Sequence, residues 1–581
     1  MSFDLPTFTA VVSARAARTP HRVAFRFLTD ATGDGLVLTD GELDRRARVV
    51  AAALLSAGVA GERVLLVFPP GLDFIVALVG ACYAGCAAVP VQPLYPGRVD
   101  RAGARLAGVI ADASPAAVLT TSTLLEAFAG FDDRFPGWRH VRVITTDTLD
   151  PAVVADANPS IGPDTTALVQ YTSGSTSAPR GVVVTHRSLL HNAEAIRRAF
   201  QVGPADRAVL WLPPHHDMGL IGGIIQPLYA EFEMILMSPL TLLQRPLRWL
   251  QAIARWRATV SGGPNFAFDL AVTRTTPEQR EALRLETWTK AFTGAEPIRA
   301  DTLDRFAEAF APSGFRRSSF HPCYGLAEAT LIVTGGGVNA PVIFNADPQG
   351  LEQRQARPAS GALTGRRIIG CGRAVHELQV AIVDPDSLVA CEDGAIGEVW
   401  VAGTSLASGY WQAPEETTKT FHARMAGGDG TPFLRTGDLG FLRDGELFVT
   451  GRIKHLIIID GRNHYPQDIE ATAEKSHAAV RPLSAAAFAV EEDGHERLIV
   501  AVEVDRGVLR GDAQPGAEES PEQREIIQAI RRAVTEAHDV PVQAVMLLPP
   551  GGVPRTSSGK IQRHLCRQAY ASRAYQTVVG Q

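Results

Sequence analysis

Short apolar runs rich in β-branched residues alternate with longer stretches of helical periodicity through the first part of the chain. A clear helical stretch is DGELDRRARVVAAALLSAG at 40–58. Because chains that alternate strands and helices in this way form parallel sheets with crossover helices, the pattern predicts an α/β fold. The runs predicted as strands are 63–68, 116–120, 141–146, 167–171, 207–212 and 233–238.

The pattern changes after about residue 370, where short strands separated by Gly and Asp turns predict a smaller antiparallel β unit. The runs predicted as its strands are 378–384, 397–403 and 445–451. The last part of the chain again mixes strands, such as 497–504, with a helix near 521–538. The segment 506–523 is polar and turn-rich, so we expect an exposed loop there.

Length and charge narrow the class of protein. A chain of 581 residues is too long for a single core, so two or more domains are expected. The composition, with 46% hydrophobic and 20% charged residues, is that of an ordinary globular protein. The net charge is −6 and no long basic run occurs, which excludes a nucleic-acid partner because phosphate-backbone binding requires clustered Lys and Arg.

The six cysteines are scattered rather than paired. Cys82 and Cys86 lie four positions apart in an apolar, helix-like stretch, and no second pair follows that would complete a metal site. We therefore expect both to be buried small hydrophobic residues. Without a disulfide framework, a reducing cytoplasmic location is predicted.

Neither a leader nor a membrane span is predicted. The N-terminus carries Asp4 and Pro6 and lacks a sustained apolar region, so we expect no signal peptide. The most apolar run, 74–91, contains two glycines and Pro90 and directly follows Asp73. We expect a buried helix leading into a core strand, and no transmembrane segment.

The stretch ALVQYTSGSTSAPRGVVVTH, at 167–186, places a Ser/Thr/Gly-rich loop at 172–181 between two apolar runs. Small residues let the backbone turn tightly and direct N–H groups inward, and the hydroxyls add donors, which suits a polyphosphate. A solvated hairpin loop is the alternative. The phosphate-loop pattern G-x-x-x-x-G-K-[ST] is absent, and Arg180 is the only cation inside the loop.

Four further segments carry candidate functional residues. Tyr324 and Glu328 are four apart, which would place both on one side of a helical turn. Asp438 falls at a Gly-flanked turn after a strand, and Arg452 lies at a turn beside a very apolar strand. Lys560 lies in a second Ser/Gly loop. Taken singly, the carboxylates and the lysine are better explained as turn or surface residues.

Together and in this order, these segments resemble the adenylate-forming superfamily of acyl-CoA synthetases, peptide-synthetase adenylation domains and luciferases. The motifs YTSGST, GAEPI (294–298), YGLAE, TGDLG and SSGKIQR all occur in the expected sequence. The resemblance implies a large N-terminal domain, 1–451, of two parallel-type βα sheets plus a small β-barrel-like subdomain. A small, mobile α+β C-terminal domain, 452–581, would follow.

The family makes an acyl-adenylate from a carboxylic acid and MgATP and releases pyrophosphate. The resemblance implies that ATP is held by Thr172, Ser173, Gly174, Ser175 and Thr176 at the β- and γ-phosphates, by Gly294, Ala295, Glu296, Tyr324 and Gly325 around the adenine, and by Asp438 and Arg452 at the ribose. Thr176 and Glu328 would support Mg²⁺, which prefers hard oxygen ligands.

Lys560 is the implied catalytic residue, because a lysine between the acyl carboxylate and the α-phosphate offsets the repulsion of two anions. The hinge of the mobile domain would lie near Gly451–Lys454, with Lys454 at the pivot. The phosphate loop departs from the usual G-x-P-K-G ending, since Ser177 and Arg180 replace Gly and Lys.

Within the superfamily, the segments 211–229, 242–270 and 457–470 look like those of fatty acyl-AMP ligases, which load the acyl group onto the phosphopantetheine of an acyl carrier protein. Between Glu328 and Gly372 lie 44 positions (372 − 328), with an apparent insertion at about 341–370. Such an insertion is typical of these ligases, where it is thought to limit the domain movement needed for the coenzyme A reaction. A loop expansion without function is the alternative.

The resemblance also implies a substrate region. His216 and Asp217 would lie close to the acyl carboxylate, and this short cluster is too isolated to indicate a metal site. Gly222 and Gly223 would line a tunnel for an alkyl chain, with Asn265 and Phe266 in its wall. Core packing is the alternative for Phe266 and Phe268.

We therefore predict a fatty acyl-AMP ligase that activates a medium- or long-chain fatty acid. Only 21 residues (581 − 560) follow Lys560, so the carrier protein is expected to be a separate chain. The alternatives are an acyl-CoA synthetase and a non-catalytic nucleotide- or acyl-adenylate-binding homologue, which Ser177 and Arg180 would favour. The presence of Glu328, Asp438, Arg452 and Lys560 argues against the latter.

Overall fold

The structure is a computed structural model. The residues that it describes are 5–29, 33–93, 99–127, 141–158, 160–172, 179–337, 340–361, 365–459, 462–492, 495–509, 519–556, 559–572 and 574.

Helices in these ranges are α1 Phe8–Arg18, α2 Asp40–Ser56, α3 Leu72–Tyr83, α4 Val99–Ala113, α5 Ser122–Ala127, α6 His186–Ala199, α7 Gln226–Ala230, α8 Pro239–Gln244, α9 Leu247–Trp256, α10 Asn265–Thr273, α11 Pro277–Glu281, α12 Ala300–Phe310, α13 Pro348–Glu352, α14 Pro414–Phe421, α15 Pro466–Lys475, α16 Pro521–His538 and α17 Arg563–Ala571.

Strands are β1 Val23–Leu28, β2 Leu36–Thr39, β3 Arg63–Val67, β4 Ala87–Val91, β5 Ala117–Thr120, β6 Arg142–Thr145, β7 Thr166–Tyr171, β8 Gly181–Thr185, β9 Arg207–Leu210, β10 Glu233–Met237, β11 Val260–Gly262, β12 Lys290–Thr293, β13 Phe320–Pro322, β14 Tyr324–Gly325, β15 Ile332–Gly335, β16 Ile343–Ala346, β17 Arg366–Ile369, β18 Arg373–Ala374, β19 Gln379–Val383, β20 Gly397–Ala402, β21 Leu434–Arg443, β22 Glu446–Arg452, β23 Ile457–Ile459, β24 Arg462–His464, β25 Val480–Glu492, β26 His495–Val504 and β27 Val542–Leu548.

Two large sheets form the first part of the molecule. Over the described ranges one has the strand order β6-β5-β3-β4-β7-β8, and the other has the order β13-β12-β11-β9-β10-β1-β2. All neighbours pair in parallel except β7 with β8 and β1 with β2. Strands buried on both faces favour this arrangement, and in β3 only Arg63 is not fully buried. The two predicted parallel-type sheets are confirmed.

The helices between these strands begin at clear sequence signals. The side chain of Thr39 caps α2 by accepting a hydrogen bond from the amide of Glu42, and Thr185 forms a capping box with Ser188 at the start of α6. Helix α3 is apolar all round because α2 and the sheet cover it, and Cys82 lies buried on it as expected. No helix within the described ranges combines the length and the apolar character needed to cross a membrane.

An antiparallel sheet of order β19-β20-β21-β22 follows, with small sheets β14-β15-β18 and β16-β17 beside it. The last part of the chain builds its own sheet, β25-β26-β27, in which β25 and β26 are antiparallel and β26 and β27 parallel. Its core is separate and includes Ile469, Val500 and Ile526. Helix α16 starts at Pro521, so the predicted loop 506–523 runs three residues too far, and 510–518 lie outside the described residues.

Candidate active site

A cavity of about 1440 Å³ lies where the seven-stranded sheet, the antiparallel β19–β22 sheet and the last part of the chain meet. Its lining is polar at one end and apolar at the other. The polar end brings together Tyr324, Glu328, Asp438, Arg452 and Lys560, which lie far apart in the sequence. An arrangement of this kind suits a ligand with an anionic head and an apolar body.

Asp438 is the centre of a buried hydrogen-bond group. The Tyr324 hydroxyl donates to its Oδ2 at 2.7 Å, and Arg452, its cross-strand neighbour, pairs with Oδ1. Burial, together with the charge of Asp438, raises the pKa of Tyr324 well above its ordinary value, so the phenol stays a donor. The charge of Asp438 also raises the pKa of Arg452. The Asp438 carboxylate is therefore fixed in orientation by Tyr324 at one oxygen and by Arg452 at the other.

The predicted turn at Asp438 is wrong. Asp438 lies within strand β21, which is bounded by Leu434 and Arg443 and pairs with β20 and β22. The adjacent Gly437 has φ +69°, a conformation that glycine adopts without strain, and this irregularity accounts for the turn-like sequence.

Glu398, which the sequence reasoning missed, holds this irregular segment in place. It is 2% exposed, and its Oε1 accepts a hydrogen bond from the amide of Gly437 at 3.0 Å. Its Oε2 accepts from Trp400 at 3.0 Å and from Arg435 at 2.9 Å. The signal in the sequence was a carboxylate inside the apolar strand GEVWVA, since a buried charge needs partners.

Glu328 is held by residues from a distant segment. Its backbone carbonyl accepts from the amide of Ala407 at 2.9 Å, and its Oε1 accepts from the Tyr410 hydroxyl at 3.0 Å. The predicted single helical turn through Tyr324 and Glu328 is wrong, because Tyr324 pairs in strand β14 and Glu328 lies in a 3-10 turn. Both nevertheless line the cavity, as does Gly325.

The Ser/Thr/Gly-rich loop is represented only by its two ends. Ser173, Gly174, Ser175 and Thr176 lie outside the described residues, so their predicted contacts stay predictions. Thr172 lines the cavity, and its amide donates to the carbonyl of Arg180 at 3.3 Å, closing the base of the loop. Arg180 pairs with Glu416 at 3.5 Å and lies over the Tyr410 ring at 5.5 Å.

Strand β8, which leaves this loop, is covered along its outer edge by the segment 408–411. The amide of Val183 donates to Gly409 at 2.9 Å, and Ser408 donates back to Val183 at 2.8 Å. Trp411 donates to the carbonyl of Gly181 at 2.7 Å. The same segment carries Tyr410, so the end of the loop and Glu328 are positioned by one stretch of chain.

The loop after β12 carries Gly294, Ala295 and Glu296. Gly294 lies against the carbonyl of Cys323, and Ala295 and Glu296 line the cavity. Asn265 fixes this loop: its backbone and side-chain N–H groups both donate to Oε1 of Glu296 at 2.9 Å. The Asn265 amide also donates to Pro297 and accepts from the amide of Arg299, each at 3.0 Å. Both polar groups of its side chain therefore contact this loop.

His216 and Asp217 lie beside the lysine end of the cavity. His216 Nδ1 is 2.6 Å from Asp217 Oδ1, which also accepts from the amide of Met218 at 2.7 Å. Burial opposes the charge on Asp217, but His216 and then Lys560 outweigh it and lower the pKa of Asp217 to about 2. Burial lowers the pKa of His215 to about 3. The site thus holds a permanent carboxylate within the field of Lys560.

The apolar end of the cavity is formed by side chains from α6 and from strands β9 to β12. Gly222, in the π-helical segment Met218–Ile225, opens onto it, and a Cβ there would meet only Leu331 at 3.9 Å. Gly223 instead faces Leu210. Sequence reasoning missed most of this lining, which includes Ile196, Phe200, Leu210, Phe232, Met234 and Phe292.

Phe266 and Phe268 have different surroundings. Phe268 is fully buried in an aromatic cluster with Trp249, Trp288 and Phe306, so core packing is the correct interpretation for it. Phe266 is partly buried and lines the cavity, where its ring meets Trp211 edge-on at 5.6 Å.

Lys560 reaches the cavity on a tight turn. Its amide donates to Thr556 Oγ1 at 3.0 Å, and its carbonyl accepts from the Thr556 amide at 2.8 Å. Gly559 has φ +85° and packs so closely on Phe266 that a Cβ would lie 2.6 Å from the ring. The lysine turn therefore docks on a residue nearly 300 positions earlier in the chain (559 − 266 = 293).

Lys454 also lines the cavity, directly after β22. Burial, and then the charge of Arg452, lower the pKa of Lys454. The segment 452–456 connects the antiparallel sheet to the hairpin β23–β24, and Ile453, Leu456 and Tyr465 pack in one cluster with Phe344 and Phe441. The hinge at Lys454 stays a prediction.

The insertion predicted at 341–370 contributes β16, α13 and β17. Glu352 at the end of α13 pairs with Arg462 at 2.6 Å, and its carbonyl accepts from Asn463 at 2.8 Å. Arg366 on β17 pairs with Asp468 at 2.9 Å. The insertion is therefore in direct polar contact with the last part of the chain.

Comparison with known proteins defines the class. A family profile described as "AMP-binding enzyme" matches residues 12–411, and one described as "Disco-interacting protein 2-like, AMP domain" matches 454–579. The chain belongs to the AMP-binding enzyme family.

Three similar proteins show to which group within this family the chain belongs. The chain is 43% identical over 575 residues to the medium-chain-fatty-acid–[acyl-carrier-protein] ligase JamA of Moorena producens (strain JHB), covering 97% of this chain and 95% of JamA. It is 39% identical to the long-chain-fatty-acid–AMP ligase FadD26 of Mycobacterium marinum, over 97% of each chain. A solved fatty acyl-adenylate ligase from L. pneumophila, in complex with acyl adenylate and pyrophosphate, is 37% identical, with a TM-score of 0.74 and coverage of 98% and 96%. These similarities place the chain among the fatty acyl-AMP ligases.

Proposed function

We propose that this chain activates a medium- or long-chain fatty acid with MgATP, releases pyrophosphate, and transfers the acyl group from the acyl-adenylate to the phosphopantetheine thiol of an acyl carrier protein, with AMP as the leaving group. The observation that carries the proposal is the single cavity that joins an apolar section to the Asp438 group and to Lys560. An acyl-adenylate is likewise divided into an apolar alkyl chain and a polar part, which consists of the reactive acyl-phosphate group and the nucleoside.

The nucleotide half of the proposal rests on the fixed polar groups. Asp438 accepts hydrogen bonds from the ribose hydroxyls, because a carboxylate oxygen retains acceptor capacity after pairing with Arg452 and Tyr324. Ala295 and Glu296 border the adenine. The loop Thr172–Thr176 holds the β- and γ-phosphates, and its described end, Thr172, faces the cavity.

The residues present fit a Mg²⁺ ion. Glu328 offers a carboxylate at the cavity wall with one oxygen already oriented by Tyr410, and hard oxygen ligands are those that Mg²⁺ prefers. Thr176 is the second proposed ligand. When bound, the ion neutralises charge on the phosphates of ATP.

Lys560 acts on the reacting atoms. A carboxylate oxygen of the fatty acid attacks the α-phosphorus, a new P–O bond forms, and the bond to the pyrophosphate oxygen breaks. The Lys560 ammonium lies between the two anions and stabilises the charge that develops on the α-phosphate. The ion pair of Asp217 and His216 lies beside Lys560 and contributes to the electrostatic potential at its ammonium group. Lys454 is the pivot about which the last part of the chain turns.

Transfer to a carrier protein rather than to free coenzyme A rests on the insertion. Its contacts with Arg462, Asn463 and Asp468 restrain the rotation by which Lys560 leaves the site. The name of JamA specifies a medium-chain fatty acid and an acyl carrier protein, and that of FadD26 a long-chain fatty acid, which supports both parts of the proposal. The cytoplasmic location that the cysteine usage predicts stays a prediction.

A transfer assay tests the proposal. The chain is given MgATP and a series of saturated fatty acids, and pyrophosphate exchange is measured first. Thioester formation is then measured with holo acyl carrier protein, with the apo carrier as the matched control, and with free coenzyme A. We expect exchange with medium or long acids and thioester only on the holo carrier. Equal rates with coenzyme A would favour an acyl-CoA synthetase, and no exchange with any acid would favour the non-catalytic alternative.

A further inference from the structure

A second cluster of ligating side chains lies outside the cavity. His191 projects from α6, and His376 and Glu377 lie in the turn between β18 and β19. One imidazole nitrogen from each histidine and a carboxylate oxygen of Glu377 lie within 4.8 Å of one another. Three segments distant in sequence meet here, since Ser405, from the loop after β20, contacts His191 as well.

The two nitrogens of His191 are in different situations. Nδ1 is 2.7 Å from the hydroxyl of Ser405, a residue with no exposed surface. Nε2 is buried, has no hydrogen-bond partner among the described residues, and lies 3.6 Å from Oε2 of Glu377. That distance is too long for a hydrogen bond. Nε2 therefore faces a carboxylate oxygen with which it could share an ion.

This is the environment of a metal-binding histidine, whose second ring nitrogen is usually held by an oxygen that fixes the tautomer and the ring orientation. A buried ring nitrogen without a hydrogen bond of ordinary length is unfavourable, and an ion between the two histidines and the carboxylate would relieve it.

We propose that His191, His376 and Glu377 bind a divalent transition-metal ion of the Zn²⁺ type, with water completing the coordination. Two imidazoles and one carboxylate suit Zn²⁺ far better than Mg²⁺, which prefers oxygen ligands and octahedral geometry. This site is separate from the Mg²⁺ that Glu328 is proposed to hold, and it does not depend on the proposed reaction.

Binding requires one local movement. Zinc bonds of about 2.1 Å bring donor atoms within about 4 Å of one another, so the cluster must close slightly. The His191 and His376 rings are stacked, with centroids 4.8 Å apart and planes 15° apart. Since a ligating nitrogen points along its own ring plane, parallel rings cannot share an ion, and His376 must rotate. His376 is only partly buried, so its ring is not enclosed by the fold on every side.

The ion would stabilise the segment behind Glu328. The hydroxyl of Thr330 donates to the carbonyl of Ser405 at 2.6 Å, and Ala407 donates to the carbonyl of Glu328 at 2.9 Å. Because Ser405 also contacts His191, an ion that fixes His191 fixes this segment against α6. We infer a structural role, in which the metal joins α6, the 375–378 turn and the Ser405 loop.

The test uses the full chain without a polyhistidine tag, freed of metal by a chelator and dialysed. Co²⁺ is titrated first, because its visible absorption reports tetrahedral nitrogen and oxygen ligands, and Zn²⁺ then displaces it. We expect one ion per chain, a raised unfolding temperature, and no displacement by millimolar Mg²⁺. His376→Gln and Glu377→Gln should each weaken binding by at least about tenfold, since loss of even an outer-shell partner of a ligand costs about 10–100-fold in affinity. His422→Gln, which removes an exposed histidine elsewhere, is the matched control and should bind as the wild type does.

The ligand residues are close enough to the surface for their variants to fold, and circular dichroism of the metal-free proteins checks this. The proposal is overturned if the wild-type chain binds no Co²⁺, or if His376→Gln and His422→Gln bind the ion equally well. Pyrophosphate exchange has no part in these readouts, so failure of the proposed reaction and failure of the metal site are distinguishable.

Discussion

Asp438 and Lys560 face the same cavity but are held there in different ways. Asp438 lies inside a strand, paired with Arg452 across the sheet and hydrogen-bonded to Tyr324. Lys560 lies on a turn where its amide donates to Thr556, and this turn reaches the cavity by packing Gly559 on Phe266. One group is part of the fold, and the other is brought to the site by docking of a separately packed region.

This difference indicates that the two groups contribute to different steps, Asp438 to ATP binding and Lys560 to the rate of the reaction. Groups fixed by a sheet are oriented before any ligand arrives, so they contribute to binding in every state of the enzyme. A group that arrives on a docked turn contributes only when docking is complete, so its loss should reduce the rate and spare the affinity for ATP. The four variants below test this division, from the largest expected effect to the smallest.

Replacing Lys560 with Ala should lower the rate of pyrophosphate release by about 10²–10³-fold, the range expected when one charge-stabilising donor is lost. ATP affinity should remain nearly unchanged. Single-turnover pyrophosphate release and equilibrium ATP binding are the measurements, and Arg532→Ala, which removes an exposed cation paired with Glu536 on α16, is the control. Equal pyrophosphate release by wild type and Lys560→Ala would remove the catalytic assignment.

Replacing Asp438 with Asn should instead weaken ATP binding more than it lowers the rate. The Asn amide keeps the shape of the side chain but loses the negative charge that pairs with Arg452 and strengthens the hydrogen bond from Tyr324. Charge-assisted hydrogen bonds contribute about 1.5–3 kcal/mol. We expect the dissociation constant of ATP to rise by about 10–100-fold. Calorimetric titration measures it. Asp444→Asn, at the exposed tip of the same hairpin, is the control, and a change confined to the rate would contradict the ribose role.

Gly559→Ala should slow catalysis by about tenfold while leaving ATP affinity unchanged, because the new Cβ would meet the Phe266 ring and the left-handed φ adds about 1–2 kcal/mol of strain. Gly551→Ala separates the two causes: Gly551 has φ +83° and nothing within 4 Å of its Cβ. The double variant Gly559→Ala/Phe266→Leu should recover part of the rate. If Gly551→Ala slows the reaction equally, docking on Phe266 is not the reason.

Glu398→Gln should give the smallest effect, a rise of about 3–10-fold in the KM for ATP with kcat little changed, from the loss of about 1 kcal/mol in the hydrogen bond that holds Gly437. Steady-state kinetics at saturating fatty acid separate KM from kcat. Glu392→Gln, an exposed carboxylate just before β20, is the control. A fall in kcat alone would show that Glu398 does not act through Asp438.

Most strands were predictable from the sequence, and the family and fold class are confirmed. Runs such as RVLLV at β3 are buried on both faces, and few other structures accommodate six or seven such runs between helices. The helix α16 was equally predictable, since Ser520 and Gln523 form a capping box at its start.

The errors and omissions have a common physical cause: contacts distant in sequence. Asp438 was predicted in a turn because its glycine neighbours favour one, but pairing with Arg452 keeps the strand continuous. Tyr324 and Glu328 have helical spacing, yet pairing of Tyr324 with Thr334 determines the local conformation. Glu398 appears in the sequence only as an unexplained carboxylate, because its partners become neighbours through strand pairing.

The cover that 408–411 forms on β8 has a consequence for how the protein behaves before any ligand binds. An uncovered outer strand offers unpaired N–H and C=O groups to the strands of other molecules, and so promotes association between chains. Here Gly181 and Val183 form hydrogen bonds with Gly409, Ser408 and Trp411 instead. Substitution of this segment with proline should therefore be detected as self-association in light scattering at protein concentrations where the wild-type chain shows none. The stretch that positions Glu328 also contributes to solubility.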